Sequence, residues 1–250
     1  MTAHGSANST IIRAERLTKR FGGLAAVQKV DFEVPRGSIY GLIGPNGAGK
    51  TTLFRMVSGV SRPTSGRVFL DGKELTGLPP HQICKLGVVT THQIVRPFLD
   101  MTVLDNVRVG AHFGKPGSRS EGVVRHWADE LLEFTGLHER RNTLARSLTL
   151  AQRKRLEVAR ALATRPQVLL LDEVVAGLNP TEVGRTMDLL RRIRERGITI
   201  VMVEHLMKAI MGLSDRVLVL SYGQRIAEGT PQEVANNPRV IEAYLGERPA

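Results

Sequence analysis

GLIGPNGAGKTTL, residues 41–53, runs from an apolar strand through a glycine-rich turn into the start of a helix. Its spacing is G-x-x-x-x-G-K-S/T: Gly44, Pro45, Asn46, Gly47, Ala48 and Gly49 make the turn, and Lys50, Thr51 and Thr52 open the helix. Glycine lets the backbone aim its N–H groups inward, and a helix N-terminus adds unpaired donors and the positive end of its dipole. Lys50 sets a positive charge against the β- and γ-phosphates of a nucleoside triphosphate, and the Thr51 hydroxyl is an oxygen ligand for magnesium. The plain alternative is a glycine turn beside a surface lysine. Strand before and helix after are the context a phosphate loop requires, so the phosphate reading prevails.

Downstream, VLLLDE (168–173) is an apolar strand ending in two acids. Such a strand can deliver Asp172 to a magnesium coordination sphere and Glu173 to a water attacking the γ-phosphate. Alone, an acidic pair after a strand is more often a solvated loop, and the upstream phosphate loop reverses that preference. His205 closes ITIVMVEH (198–205) and joins the site only if its strand lies beside that of Asp172. Gln93 closes GVVTTHQ (87–93), and its amide, both donor and acceptor, can contact magnesium or the water.

Residues 11–40 alternate as short strands do, and an apolar helical face follows the phosphate loop over residues 51–60. Between about Met101 and Ala163 the pattern becomes helical, in TVLDNVRVGAHF, EGVVRHWADELLEFTGL and LAQRKRLEVARALA. From Gln167 onward continuous apolar strands alternate with helices, which implies a parallel sheet covered on both faces. The expected organisation is a disordered tail at 1–10, one domain at 11–246 and a short C-terminal tail at 247–250. Within that domain, residues 11–95 and 164–246 form the nucleotide-binding core and about 96–163 an inserted helical subdomain.

A formal charge of +11 admits nucleic acid, a nucleotide or an anionic membrane surface as partner. Aromatics are only 4% of the chain and do not interleave with basic residues, which argues against a single-strand binding groove. Cys84 is the single cysteine, so no internal disulfide forms and a reducing compartment is expected. MTAHGSANST lacks the apolar core of an export signal, and runs such as ITIVMV are too short to span a bilayer.

In this order the motifs resemble the ATP-binding cassette of ABC transporters. GPNGAGKTT is similar to Walker A, Gln93 to the Q-loop, LTLAQ (148–152) to the signature, VLLLDE to Walker B, AGLNP (176–180) to the D-loop and His205 to the switch histidine. The resemblance covers about 11–246 and implies a P-loop NTPase, RecA-like α/β core with an N-terminal antiparallel β subdomain and an inserted helical subdomain. RFGGLAAV (20–27), DEVVAGLNPTE (172–182) and the stretch from VEHLMKAIMG to EAYLGE (203–247) resemble the ATP-binding subunits of branched-chain and related hydrophobic amino-acid importers.

That resemblance implies ATP and Mg2+ as ligands and a peripheral position on the cytoplasmic face of a bacterial or archaeal inner membrane. It implies a second ATP-binding subunit, transmembrane permease subunits and, indirectly, a solute-binding protein; no nucleic acid is expected. Phe21 would stack on adenine, and RPFLDMT (96–102) would meet a helix of the permease. The usual signature is L-S-G-G-Q, whereas here Leu150 and Ala151 replace both glycines. Thr149 and Gln152 keep a capping-box spacing, so a helix start facing phosphate is expected to survive. Val174 stands where the family commonly has proline, and the basic residues after Gln152 are expected on the helix surface.

The altered signature favours pairing with a related but different ATPase, a homodimer remaining open. Two other functions compete: a soluble ABC-type ATPase acting on nucleic acid or the ribosome, and a regulatory nucleotide switch with low turnover.

Overall fold

The structure, a computed structural model, describes residues 9–91, 97–114 and 120–245. Strands β1 (Thr10–Phe21) and β2 (Leu24–Pro35) form a hairpin around Gly22 and Gly23, and β1 opens at Thr10, inside the stretch expected as tail. The central strand β3 (Ile39–Ile43) leads through the phosphate loop into α1 (Lys50–Val57). That helix stops short of the expected residue 60, because Ser58 caps it and Gly59 turns to a φ of 73°. β4 (Ser65–Leu70), β5 (Lys73–Glu74), α2 (Pro80–Leu86) and β6 (Val88–Thr90) follow.

Next come α3 (Val103–Phe113), α4 (Glu121–Phe134) and α5 (Leu150–Ala163). The chain then alternates through β7 (Val168–Asp172), α6 (Pro180–Glu195), β8 (Thr199–Val203), α7 (Met207–Leu213) and β9 (Arg216–Ser221). β10 (Gln224–Gly229), α8 (Pro231–Ala235) and α9 (Pro238–Leu245) complete it. Tyr222 and Gly223 both take positive φ, which suits the tight turn from β9 back along β10.

Two sheets result. An antiparallel sheet has the order β2-β1-β4-β5, and a larger one the order β10-β9-β3-β8-β7-β6, parallel except for β10. All residues of β3 and β8 are buried, as the unbroken apolar runs require of strands covered on both faces. Alternation divides β3 between two cores. Ile39 and Ile43 join the helices, whereas Tyr40 and Leu42 pack with α1 and the antiparallel sheet.

The helical segment is tied to α5 by close packing. A Cβ added at Gly110 of α3 would lie 2.2 Å from the carbonyl oxygen of Arg160, and the Trp127 indole of α4 donates to the Ala163 carbonyl at 3.2 Å. Gly110→Ala is therefore expected to lower unfolding free energy by about 1–3 kcal/mol in a urea titration, through overpacking. Gly122→Ala, at an α4 position with no atom near the added methyl, should instead be neutral or stabilise by up to about 1 kcal/mol. Equal responses from the two variants would contradict this packing.

Candidate functional site

The phosphate loop exists because several of its residues do what a side chain would prevent. Gly44 has a φ of 150°, and a Cβ there would lie 2.1 Å from the Leu220 carbonyl oxygen; one at Gly49, with φ 98°, would lie 2.4 Å from that of Ala26. Ala48 is buried and donates its N–H to the Pro45 carbonyl at 3.2 Å, closing the turn, while Asn46 and Gly47 are exposed at its tip. Lys50 is buried beneath them, its Nζ donating to the carbonyls of Gly44 at 2.7 Å and Pro45 at 2.9 Å. Burial holds its ammonium below the ordinary lysine range, with the charges of Glu173 and Asp172 acting in the opposite sense. Thr51 is exposed and Thr52 half-buried at the start of α1.

Parallel order gathers the remaining groups. β8 lies between β3 and β7, and Asp172 pairs with Val203, so the ends of β7 and β8 stand side by side. His205 meets the condition set for it, its Nε2 lying 3.0 Å from Glu173 Oε1. Two strand spacings, about 10 Å, separate β3 from β7, room for a phosphate and a water between loop and carboxylate. Burial, then the neighbouring Glu173 charge, raises the Asp172 carboxyl above its ordinary range. Thr51 and Asp172 are oxygen donors suited to a magnesium ion, which takes few protein ligands. Gln93 lies outside the described residues.

The signature segment begins a helix as expected. Thr149 Oγ1 accepts from the Gln152 N–H at 3.3 Å, and Gln152 Oε1 accepts from the Thr149 N–H at 3.0 Å. Thr149 and Leu150 are exposed, whereas Ala151 is buried, so its methyl turns into its own chain. Leu150 reaches back to the D-loop, with its Cδ2 placed 3.1 Å from where a Gly177 Cβ would be. Val174 is core packing. Phe21 is 55% exposed, so it is not a core residue, and it ends the strand whose hairpin partner carries Ala26, against Gly49.

Two charged residues escaped the sequence reading. Lys154 is not on the helix surface but buried at 7% exposure, with Nζ donating to the Glu173 carbonyl at 2.6 Å. Glu204 is 3% exposed and its Oε1 accepts from the Val175 N–H at 2.8 Å. Glu204 carried a signal: an acid following a fully apolar strand. Lys154 carried none, sitting in the basic run 153–155 whose helical phase decides which member turns inward.

A phosphate loop, an acidic strand end and a facing histidine on this sheet define a P-loop ATPase of the cassette type. Comparison with known proteins narrows it: the ABC transporter family profile matches residues 27–176, and the chain belongs to this family as one of its ATP-binding cassettes, ATPases coupled to transport. A second profile, branched-chain amino acid ATP-binding cassette transporter, matches residues 224–250. The chain is 43% identical to the high-affinity branched-chain amino acid transport ATP-binding protein BraF of Pseudomonas aeruginosa, over 95% of this chain and 98% of that one. It superposes with a TM-score of 0.88 on a nucleotide-free ATP-binding cassette from an ABC transporter, 31% identical, covering 96% of this chain and all (100%) of that one. A dimeric ATP-binding cassette in a post-hydrolysis state, bound to ADP and Pi, superposes at 0.80 with 25% identity, covering 88% and 99%. Neither a nucleic-acid or ribosomal ATPase nor a low-turnover switch finds support among these matches. Among the described residues no helix is long and apolar enough to cross a membrane.

Glu204 yields a pH test. Burial pushes its carboxyl from the ordinary 4.5 up to about 7; the Val175 N–H and the Lys154 charge oppose this, while the charges of Glu173 and Asp172 reinforce it. With the folded value above the unfolded one, the folded state holds the proton more tightly, so this contribution is complete below the ordinary value and is lost as pH rises through about 7. Glu204→Gln keeps an acceptor for Val175. Relative to the parent, it is expected to gain stability in denaturant titrations as pH is raised from about 5 to about 8. An offset constant across that window would contradict the burial of a titrating carboxyl.

Proposed function

We propose that this chain is the ATP-hydrolysing subunit that energises an ABC importer of branched-chain or related amino acids. The observation that carries the catalytic part is the convergence of Lys50, Glu173 and His205 beyond the carboxyl ends of the neighbouring strands β3, β7 and β8. The amino-acid part rests on the similarity to BraF and on the C-terminal profile match. In this reading the chain sits peripherally on the cytoplasmic face of a bacterial or archaeal inner membrane, with permease subunits above it and a solute-binding protein choosing the cargo.

The phosphates of ATP rest on the N–H groups of residues 46–52, and Lys50 leaves the carbonyls of Gly44 and Pro45 to meet the β- and γ-phosphates. Phe21 lies under the adenine. Thr51 and Asp172, together with Gln93, would hold magnesium, and the charge of that ion would neutralise the triphosphate. Glu173 orients a water and accepts its proton as the water oxygen bonds to the γ-phosphorus; the bond to the bridging oxygen breaks, leaving ADP and inorganic phosphate. The contact from His205 fixes the Glu173 carboxylate and brings an imidazole to the γ-phosphate side. The helical subdomain, residues 96–163, transmits the event. Exposed Phe98 and Leu99 offer an apolar contact to the permease, on a loop fixed by buried Asn106, which accepts from the Phe98 N–H at 2.8 Å and donates to the Thr102 carbonyl at 2.9 Å.

A second cassette completes the site, its signature facing this Walker A. A related but different ATPase as partner is supported by the exposed Leu150, whose bulk at the helix start crowds an opposing nucleotide and makes this chain's signature the weaker half.

Glu173→Gln is expected to retain ATP binding in a titration while turnover falls roughly 100- to 10,000-fold, the usual range for losing a general base. Lys50→Ala should instead weaken ATP binding itself. Unchanged turnover in the first variant, or unchanged affinity in the second, overturns the corresponding role. The pairing is tested by comparing the purified chain with the transporter it co-purifies in: hydrolysis by the chain alone at the rate of the assembly contradicts the asymmetric partner.

A further inference from the structure

Glu173 has a backbone that needs holding. Its φ is 52°, in the left-handed region that an L side chain enters at a cost, and it stands directly after β7, just ahead of the D-loop. Its own N–H donates to the Val203 carbonyl at 2.9 Å. Its carbonyl accepts from the Ala176 N–H at 3.3 Å within the turn, and two side chains from other elements add shorter anchors, namely Lys154 of α5 on the Glu173 carbonyl at 2.6 Å and Glu204, after β8, on the Val175 N–H at 2.8 Å. Both are nine-tenths or more buried, so water does not substitute for either.

We propose that Lys154 and Glu204 are positioning residues for hydrolysis. They clamp the Glu173–Val175 turn from its two ends and make the aim of the Glu173 carboxylate depend on the position of the signature helix. α5 begins at Thr149, the residue offered to the partner's nucleotide, and Lys154 lies on the same rigid helix, little more than one turn further on. A displacement of the helix start therefore reaches the Glu173 carbonyl through one side chain. Within one chain, the state of one composite nucleotide site is thereby passed to the carboxylate that serves the other. The inference rests on Glu173 being the catalytic base.

The test uses the assembled transporter carrying variants of this chain, with turnover and ATP affinity measured separately. Lys154→Met is expected to lower the maximal rate roughly 10- to 100-fold, the scale of a small misplacement of a reacting group, with ATP affinity unchanged within about twofold. Lys154→Arg, which again offers a donor to the carbonyl, should recover most of the rate. On a Glu173→Gln background, Lys154→Met should remove nothing further, because the two act as one unit. A rate within about twofold of the parent, a joint loss of rate and affinity that arginine does not rescue, or a further loss on the Glu173→Gln background overturns the proposal. Should Lys154→Met not fold, the other end of the clamp decides. Glu204→Leu is expected to lose turnover while Glu204→Gln keeps it, and equal behaviour overturns the proposal. Turnover retained by Glu173→Gln alone overturns the catalytic reading instead, a result independent of Lys154.

Discussion

A buried ammonium beneath a glycine loop is the constraint from which the rest of this molecule follows. Taking a lysine charge out of water costs several kcal/mol unless it is well compensated. Here two backbone carbonyls compensate it, those of Gly44 and Pro45, and they are available only because the chain leaves β3 in a conformation that a side chain at Gly44 would block. The loop in turn is pressed between the Leu220 carbonyl at the end of β9 and the Ala26 carbonyl of β2, so both sheets must be in place to form it. An arriving phosphate offers the same cation a stronger partner than two carbonyl dipoles. The loop is thus organised ahead of its ligand.

A second tier of buried polar groups lies behind the catalytic edge. Parallel strands end together, which brings Glu173 and His205 to one side of the sheet without any special local sequence. The positive φ of Glu173 does need special support, and it comes from two ionisable side chains in a dry interior, where an unmet partner is expensive. Catalytic edge and signature helix are therefore joined by hydrogen bonds as well as by apolar packing. Leu150 adds a further link, touching Gly177 of the D-loop from the helix start.

Much of this was legible in the chain itself, for reasons that differ by residue. Gly44 to Thr52 are adjacent in sequence, so their spacing declares the loop. Asp172 and Glu173 follow from an apolar run that stops on two acids, and Thr149 with Gln152 from the helix-capping pattern, both present as expected. His205 could be placed only once the strand order was known, because its meaning depends on β8 lying beside β7. Lys154 was misread as surface because a run of three basic residues on a helix does not announce which one turns inward, and Glu204 was overshadowed by the histidine after it. The end of α1 was overrun for a simpler reason: the apolar period continues to Val60, but Gly59 turns the backbone out of the helix first.

Cargo choice leaves little mark on such a chain, since the surfaces that meet ATP are shaped by phosphate, base and water. What the chain does specify is where the phosphates go and which cation moves to meet them. A crystal structure with magnesium and a non-hydrolysable ATP analogue measures this directly. Lys50 Nζ should have left the carbonyls of Gly44 and Pro45 to lie within hydrogen-bonding distance of the β- and γ-phosphates, with the γ-phosphate on the side of Glu173 and His205. A bound analogue whose phosphates sit elsewhere, with Lys50 still on its two carbonyls, would contradict it.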